Sequence, residues 1–423
     1  MTPTNRRRLL QGAGASAVLA GFPTIARAGT ARVIVIGGGF GGATAAKYLR
    51  LLDPSLEVTL IEREQRYVTC PESNHVLAGL KSMADITVAY DRLQSVYGVK
   101  LLRSEVLAVD GMRQLVRLQD GTTLGYDRAI IAPGVEMRFD VLEGYDAAAA
   151  ERMPHAWKAG PQTLLLRRQL EAMPDGGVVI IAPPLNPSRC PPGPYERASL
   201  IAHYLKSSKP RSKILIYDAK DSYPHQAIFE AAWDTHYPGI IEWYGASSGG
   251  RITRVDARAM TVTTEFGAQK GDVINIVPPQ RTPAVTRESG IVDPWGWCPV
   301  DPRTLESTQT RWIHVVGDAA NGVVMAKSAT SANSQAKVCA AAIVAMLAGK
   351  SPDAPSFAGT CYSTIAPDDA VSVTDIYRVE RQRIIEMLGP RGYSAPDETP
   401  ALRQAEAQAA RAWYAGIVAD SFG

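Results

Sequence analysis

The sequence has few cysteines, and they lie far apart. Five occur in 423 residues, and no two have the short spacing of zinc or iron–sulfur ligands. The Cys-x-x-Cys-His motif that attaches c-type haem is also missing. We therefore expect neither a metal site nor a haem in this chain.

Long apolar runs and a strong net charge are missing as well. Beyond residue 28 no stretch reaches the roughly 18 apolar residues of a transmembrane helix. The formal net charge is +3, and it becomes −1 if the four arginines of the first 28 residues are removed. This balance predicts no nucleic-acid partner, and the hydropathy predicts no membrane span.

The first 28 residues have the order of features found in an export signal. Arg6-Arg7-Arg8 precedes Leu9-Leu10 and an apolar run, and Ala26-Arg27-Ala28 has the small-x-small pattern of a cleavage site. Paired arginines followed by leucines are typical of the twin-arginine route, which exports folded proteins. We expect a periplasmic protein; a disordered basic N-terminus is the alternative interpretation.

A glycine turn follows the first predicted strand. Residues 33–36 are wholly apolar, as in a central parallel strand, and residues 43–51 read as a helix. Between them, Gly37 permits a tight turn, Gly39 lets the backbone approach a pyrophosphate, and Gly42 allows close helix–strand packing. The helix N-terminus then faces the phosphate charge, so the pattern predicts a bound dinucleotide.

An acidic residue stands where a dinucleotide ribose is expected. Glu62 lies 20 residues beyond Gly42, at the end of a predicted strand over residues 58–61. A carboxylate there can accept hydrogen bonds from the ribose hydroxyls. Arg63 follows it and is assigned to the same site.

Two later strand–turn segments favour FAD over NAD. The strand leading to Ala132 and Gly134 resembles the second flavin-contacting turn of flavoproteins with two dinucleotide folds. Gly317-Asp318 resembles their late motif, whose aspartate binds the ribityl chain. We therefore predict that the first dinucleotide site holds FAD.

A second strand–helix–strand unit begins near residue 176, with strands at 178–181 and 213–217 and a helix at 198–205. Its first turn contains three prolines between residues 182 and 187 in place of glycines, and proline supplies no amide hydrogen for a phosphate. The nicotinamide site is therefore expected to be degenerate. The whole pattern predicts an α/β protein with tandem doubly wound dinucleotide-binding folds and a small C-terminal α+β domain, whose helix covers residues 402–418.

Three of the cysteines have settings that suggest chemistry. Cys70 follows the ribose-binding strand, Cys190 lies in the loop where a nicotinamide would bind, and Cys361 belongs to the C-terminal unit. Cys298 and Cys339 are expected to be structural. Spacing alone leaves open whether any two are paired, and whether such a bond is a structural cross-link or redox-active.

Several longer segments carry a resemblance to a known family. They are residues 69–74, 154–160, 189–199, 276–281, 296–301, 331–335 and 360–363. Together they resemble the flavoprotein subunit of flavocytochrome c sulfide dehydrogenase. The similarity covers nearly all of the chain after the export signal, with a divergent stretch at about residues 378–400.

The resemblance implies a fold and a set of roles. The fold is glutathione reductase-like, with an FAD domain at 29–140 and 285–350, a second dinucleotide fold at 141–284 and an interface domain at 351–423. Cys70 matches the cysteine that carries FAD through a thioether. Cys190 and Cys361 match the disulfide beside the flavin, and Glu196 matches a glutamate next to that disulfide.

The resemblance also implies an activity. Hydrosulfide is oxidised to sulfur or polysulfide through the disulfide and FAD, and the electrons pass to a c-type cytochrome on another chain. One alternative is a sulfide:quinone oxidoreductase-like enzyme, although residues 402–423 carry several charges where that enzyme needs a membrane-binding segment. A flavoprotein that only relays electrons is the other alternative.

Overall fold

The computed structural model describes residues 30–321 and 324–423. The predicted export signal at residues 1–28 lies outside this described part. The α-helices are α1 (Phe40–Leu52), α2 (Ser73–Ala78), α3 (Asp91–Ser95), α4 (Ala147–Ala150), α5 (Pro161–Ala172), α6 (Gly193–Ser208), α7 (Gln226–His236), α8 (Ala284–Glu288), α9 (Ala329–Leu347) and α10 (Pro400–Phe422).

The strands of the first half are β1 (Arg32–Ile36), β2 (Glu57–Ile61), β3 (Tyr67–Val68), β4 (Thr87–Val88), β5 (Lys100–Leu102), β6 (Val106–Asp110), β7 (Leu115–Leu118), β8 (Thr123–Gly125), β9 (Arg128–Ile131), β10 (Glu136–Met137), β11 (Val178–Ala182) and β12 (Lys213–Tyr217). Those of the second half are β13 (Ile241–Tyr244), β14 (Arg254–Asp256), β15 (Thr261–Thr264), β16 (Gly267–Lys270), β17 (Val273–Ile276), β18 (Gln280–Arg281), β19 (Cys298–Pro299), β20 (Ile313–Val315), β21 (Ala320–Asn321), β22 (Ser356–Ala366), β23 (Asp369–Glu380) and β24 (Arg383–Glu386).

The first parallel sheet has five strands in the order β20-β9-β1-β2-β5. The central strand β1 pairs with β2 on one side and β9 on the other, so Val35 lies between Leu60 and Ile130. All three side chains are fully buried. Their burial explains why this strand is continuously apolar rather than alternating. The predicted strands and the helix after β1 are confirmed.

The second parallel sheet has four strands in the order β13-β12-β11-β17. Its core includes Tyr195, Leu205, Ile214 and Phe229, each fully buried. Helix α6 starts at Gly193, five residues before the predicted start at Ala198. The prediction was wrong there because proline is accepted in the first turn of a helix.

The C-terminal part contains an antiparallel sheet, β22-β23-β24, and the long helix α10. The expected α+β character and the helix at 402–418 are confirmed. The long strand that carries Cys361 was not predicted. Residues 31–423 form one compact unit, so the domain limits at 140, 284 and 350 remain predictions.

The first parallel sheet places four of the predicted site segments at the carboxyl ends of its strands. The glycine turn follows β1, Glu62 follows β2, Ala132 follows β9 and Gly317 comes two residues after β20. Because parallel strands point the same way, these groups meet at one edge, where α/β folds bind ligands. In the described ranges, no helix has both the length and the apolar content to cross a bilayer.

The core of the second sheet can be tested with a matched pair of phenylalanines. Phe229 is fully buried, with its ring centroid 5.9 Å from that of Trp233, whereas Phe266 is 74% exposed. Phe229→Ala should lower the free energy of unfolding by about 3–5 kcal/mol. Phe266→Ala should change it by less than about 0.5 kcal/mol. Urea unfolding followed by tryptophan fluorescence measures both, and equal effects would contradict the assigned core.

Candidate active site

The glycine turn is packed so closely that side chains are excluded. Gly37 has φ +95°, and a Cβ atom there would lie 2.4 Å from the Ala132 carbonyl oxygen. A Cβ on Gly42 would lie 1.8 Å from the Gly37 carbonyl oxygen. Gly39 is the N-cap of the 13-residue α1 and offers no side-chain cap. The first amides of this helix are therefore available to an anion.

Glu62, predicted to bind the ribose, is held against the glycine turn. Its Oε2 accepts a hydrogen bond from the Gly38 amide at 2.6 Å, and its Oε1 accepts one from the Glu64 amide at 2.9 Å. Arg63, which the sequence assigns to the same site, has its guanidinium 3.6 Å from Glu105, and its side chain is 52% exposed. Arg63 thus lies at the rim of the site.

The turns after β9 and β20 form the opposite side of the site. Gly134 and Gly317 have φ of +69° and +78°, and the Gly317 amide donates to Gln335 Oε1 at 2.7 Å. Asp318 is buried, and its carboxylate lies 3.9 Å from Arg189. Burial raises the pKa of Asp318, while the Arg189 charge acts against that rise.

Cys70 faces this side from the loop before α2. Its Sγ lies 3.8 Å from the Trp157 carbonyl oxygen, and Arg189 donates to the same oxygen. Burial works against the charge of Arg189, but Cys70 and Asp318 hold the pKa of this guanidinium above its ordinary value. The three groups therefore form one electrostatic cluster.

Two buried donors near this cluster lack a partner within the described residues. They are Trp157 Nε1 and Gln280 Nε2, and the second belongs to a side chain whose Oε1 accepts from the Arg189 amide at 2.9 Å. A buried donor without an acceptor is costly, so such donors suit a ligand with carbonyl oxygens or ring nitrogens. Together with the glycine turn, they fit a flavin dinucleotide.

Cys190 and Cys361 approach each other from different parts of the chain. Cys190 has φ +51°, and its amide donates to the Lys327 carbonyl at 2.9 Å; Cys361 lies on β22. Burial raises the pKa of both thiols; Cys361 adds to the rise at Cys190, and the Ser328 hydroxyl opposes it at Cys361. Both are free thiols here, as are the other three cysteines.

Glu196 lies beside this pair in the first turn of α6. Its Oε1 accepts from the Thr364 amide at 2.9 Å, and its Oε2 accepts from Asn74 Nδ2 at 2.7 Å. Burial raises its pKa to about 7, although both hydrogen bonds lower it. At neutral pH this carboxyl group can therefore both accept and donate a proton.

Sequence reasoning missed the polar residues that surround the cysteines. Arg189 and Asn74 lie inside the segments that carry the family resemblance, next to Cys190 and close to Cys70. The short distance in sequence from each of these residues to a candidate cysteine could have marked it as a site residue. Their partners are distant in sequence, since Asn74 and Glu196 are 122 residues apart, and spacing does not reveal such contacts.

The acid that follows β12 is already occupied. Asp218 is fully buried and accepts hydrogen bonds from Tyr195, from Trp243 at 3.3 Å and from Lys220 Nζ at 2.6 Å. In a nicotinamide-binding fold an acid at this position holds the ribose. These contacts and the proline-rich turn agree with a degenerate nicotinamide site.

Three family descriptions match the chain. Residues 31–160 match the pyridine nucleotide-disulphide oxidoreductases. Residues 163–278 match the central part of the sulfide dehydrogenase (flavocytochrome c) flavoprotein chain. Residues 353–422 match the flavin-binding part of flavocytochrome c sulphide dehydrogenase.

Similar proteins point the same way. All 48 residues of the sulfide dehydrogenase (flavocytochrome c) flavoprotein chain of Chlorobaculum thiosulfatiphilum align with 11% of this chain at 67% identity. The mitochondrial sulfide:quinone oxidoreductase of Mus musculus is 21% identical over 68% of this chain and 65% of its own length.

The crystal structure of sulfide:quinone oxidoreductase from Aquifex aeolicus superposes with a TM-score of 0.72 over 92% of both chains, at 18% identity. That similarity shows the fold. Together, these matches give the chain an α/β dinucleotide-binding flavoprotein fold with a flavin cofactor.

Gly42 provides a test of the dinucleotide site. Gly42→Ala should lower flavin affinity at least about tenfold, because the new methyl group would displace the Gly37 carbonyl. The ratio of flavin to protein absorbance after purification measures this, with circular dichroism to check folding. Gly416→Ala is the matched control, since no atom lies within 4 Å of its Cβ position. Full flavin content in Gly42→Ala would contradict the assignment.

Proposed function

Because this chain belongs to the flavoprotein family of flavocytochrome c sulfide dehydrogenase, we propose that it oxidises hydrosulfide at Cys190 and Cys361 and passes the electrons through FAD to a c-type cytochrome. One observation carries the proposal: two cysteines 171 positions apart in the sequence interact beside a carboxyl group with a pKa of about 7. A cysteine pair that can form and break a disulfide, and a proton acceptor, are the two parts that the chemistry needs.

The first step is thiol–disulfide exchange. Hydrosulfide attacks one sulfur of a Cys190–Cys361 disulfide, the S–S bond breaks, and the products are a persulfide and a thiolate. Glu196 accepts the proton that the hydrosulfide brought. A second hydrosulfide then takes the outer sulfur of the persulfide as a hydrodisulfide ion, which leaves thiolates on both cysteines. The two thiolates re-form the disulfide by giving up two electrons.

A bound FAD would supply the two-electron acceptor for this step and would allow the electrons to leave one at a time. The residues proposed to hold it are Gly37, Gly39 and Gly42 at the pyrophosphate, with Glu62 at the ribose and Arg63 at the rim. On the other side, Ala132, Gly134, Gly317 and Asp318 would contact the flavin part. Cys70 is proposed to attach the flavin covalently.

The electron acceptor is proposed to be a c-type cytochrome on a separate chain. Two observations support this: the present sequence has no haem-attachment motif, and the names of the matched family include flavocytochrome c. The export pattern in residues 1–28 supports a periplasmic location, reached by the twin-arginine route.

Cys190 provides the test of the reaction. Cys190→Ser should lower sulfide-dependent cytochrome c reduction about a thousandfold or more, because serine cannot form the disulfide. Bound FAD should remain. Cys339→Ala is the control and should keep the activity, because Cys339 is buried in α9 and takes no part in the proposed reaction. Unchanged activity in Cys190→Ser would refute the mechanism, and faster reduction of a quinone than of cytochrome c would refute the proposed acceptor.

Cys70 provides the test of the flavin attachment. After denaturation and proteolysis, mass analysis should find FAD on the peptide that contains Cys70. In Cys70→Ala the flavin should be released by denaturant, because no thioether can form. A wild-type protein that loses all its flavin on denaturation would contradict covalent attachment while leaving FAD binding intact.

A further inference from the structure

Asn74 connects the loop of Cys70 to the helix that follows Cys190. It is 7% exposed and lies on α2. Its Nδ2 donates to Glu196 Oε2 at 2.7 Å and to the Gly193 carbonyl at 3.4 Å. Its Oδ1 accepts from Arg197 Nε at 3.0 Å. Every polar atom of this side chain is therefore in use.

The orientation of the Asn74 amide is determined by Arg197. A guanidinium only donates, so the atom facing it must be the Asn74 oxygen, and the NH2 group must face Glu196. Arg197 itself is immobilised, because it also donates to the carbonyl oxygens of His155 and Ala156 and to Asn275 Oδ1, at 2.7–2.9 Å. Asn74 thus presents a fixed donor to the carboxylate.

We propose that Asn74 is a positioning residue for sulfide oxidation: its amide fixes the Glu196 carboxylate beside Cys190 and joins it to the segment that carries Cys70. The proposal rests on the proposed role of Glu196 as proton acceptor. Asn74 touches neither sulfur directly, so it acts through Glu196.

The groups that surround Glu196 determine its pKa. Asn74 and the charge of Glu72 face it from the α2 side, Arg197 from its own helix, the Thr364 amide from β22, and Cys190 from the preceding loop. Burial and Glu72 raise the pKa of Glu196, whereas the two hydrogen bonds and Arg197 lower it. Removal of the Asn74 donor therefore raises this pKa further.

The consequence is a shift in the pH range over which Glu196 accepts a proton. With the donor present, the carboxyl titrates at about pH 7. Without it, we expect the midpoint to rise by about one pH unit, so most of the protein carries protonated Glu196 at neutral pH. Protonated Glu196 cannot take the hydrosulfide proton.

The experiment is an infrared pH titration of the flavin-loaded, full-length protein. The carbonyl band of the protonated acid is assigned to Glu196 by its loss in Glu196→Gln. Its midpoint should rise in Asn74→Leu, which removes the donor and adds no charge. Asn275→Leu is the matched control, because it removes an amide from the same guanidinium without touching Glu196; its midpoint should not move.

The rate of anaerobic flavin reduction by sulfide gives a second readout. Its ratio in Asn74→Leu to wild type should increase with pH around neutrality, and the substrate's own ionisation cancels in that ratio. A purely structural role would lower the rate equally at every pH. An unmoved midpoint in Asn74→Leu, or an equal shift in Asn275→Leu, overturns the positioning role. Wild-type rates in Glu196→Gln would instead overturn the proton transfer itself.

Discussion

A largely buried carboxylate needs hydrogen-bond donors, and the two donors of Glu196 come from distant parts of the chain. Asn74 stands four residues after Cys70, Thr364 stands three residues after Cys361, and Glu196 itself stands six residues after Cys190. An unpaired carboxylate at this depth would be strongly destabilising. The two hydrogen bonds of this carboxyl group therefore link the three segments that carry Cys70, Cys190 and Cys361. It also keeps a titratable group with a pKa of about 7 beside the sulfurs.

The surrounding scaffold supplies rigidity rather than chemistry. Each of the two parallel sheets has buried central strands. The loops at the carboxyl ends of their strands carry the glycine turn, Asp318 and Cys190. The glycine turn is closely packed at that edge, since neither Gly37 nor Gly42 has space for a methyl group. The antiparallel C-terminal sheet then brings Cys361 to the loop of Cys190. A loop of a dinucleotide-binding fold and a strand of the antiparallel sheet thus bring Cys190 and Cys361 near each other.

Sequence patterns predicted the parallel strands, the glycine turn and the position of Glu62, because these depend on local periodicity and on residues close in the chain. They did not predict β22, since its run of small and hydroxyl side chains from Ser356 to Ala366 has neither clear alternation nor strong apolar character. They misplaced the start of α6 because prolines were taken as breakers. The contact of Asn74 with Glu196 could not be predicted from the sequence, because it depends on how two segments 122 residues apart pack together.

The acid of the second dinucleotide fold has its hydrogen-bonding capacity filled from within the chain. Asp218 is enclosed by Tyr195, Trp243 and Lys220, and Tyr195 stacks on Tyr223 at 3.6 Å between ring centroids. Glycines placed in the preceding turn would still meet a carboxylate that accepts four hydrogen bonds from within the chain. Tyr195, Trp243 and Lys220 would have to release it before it could bind a ribose. A change in the turn alone would therefore not give this fold a ribose-binding acid.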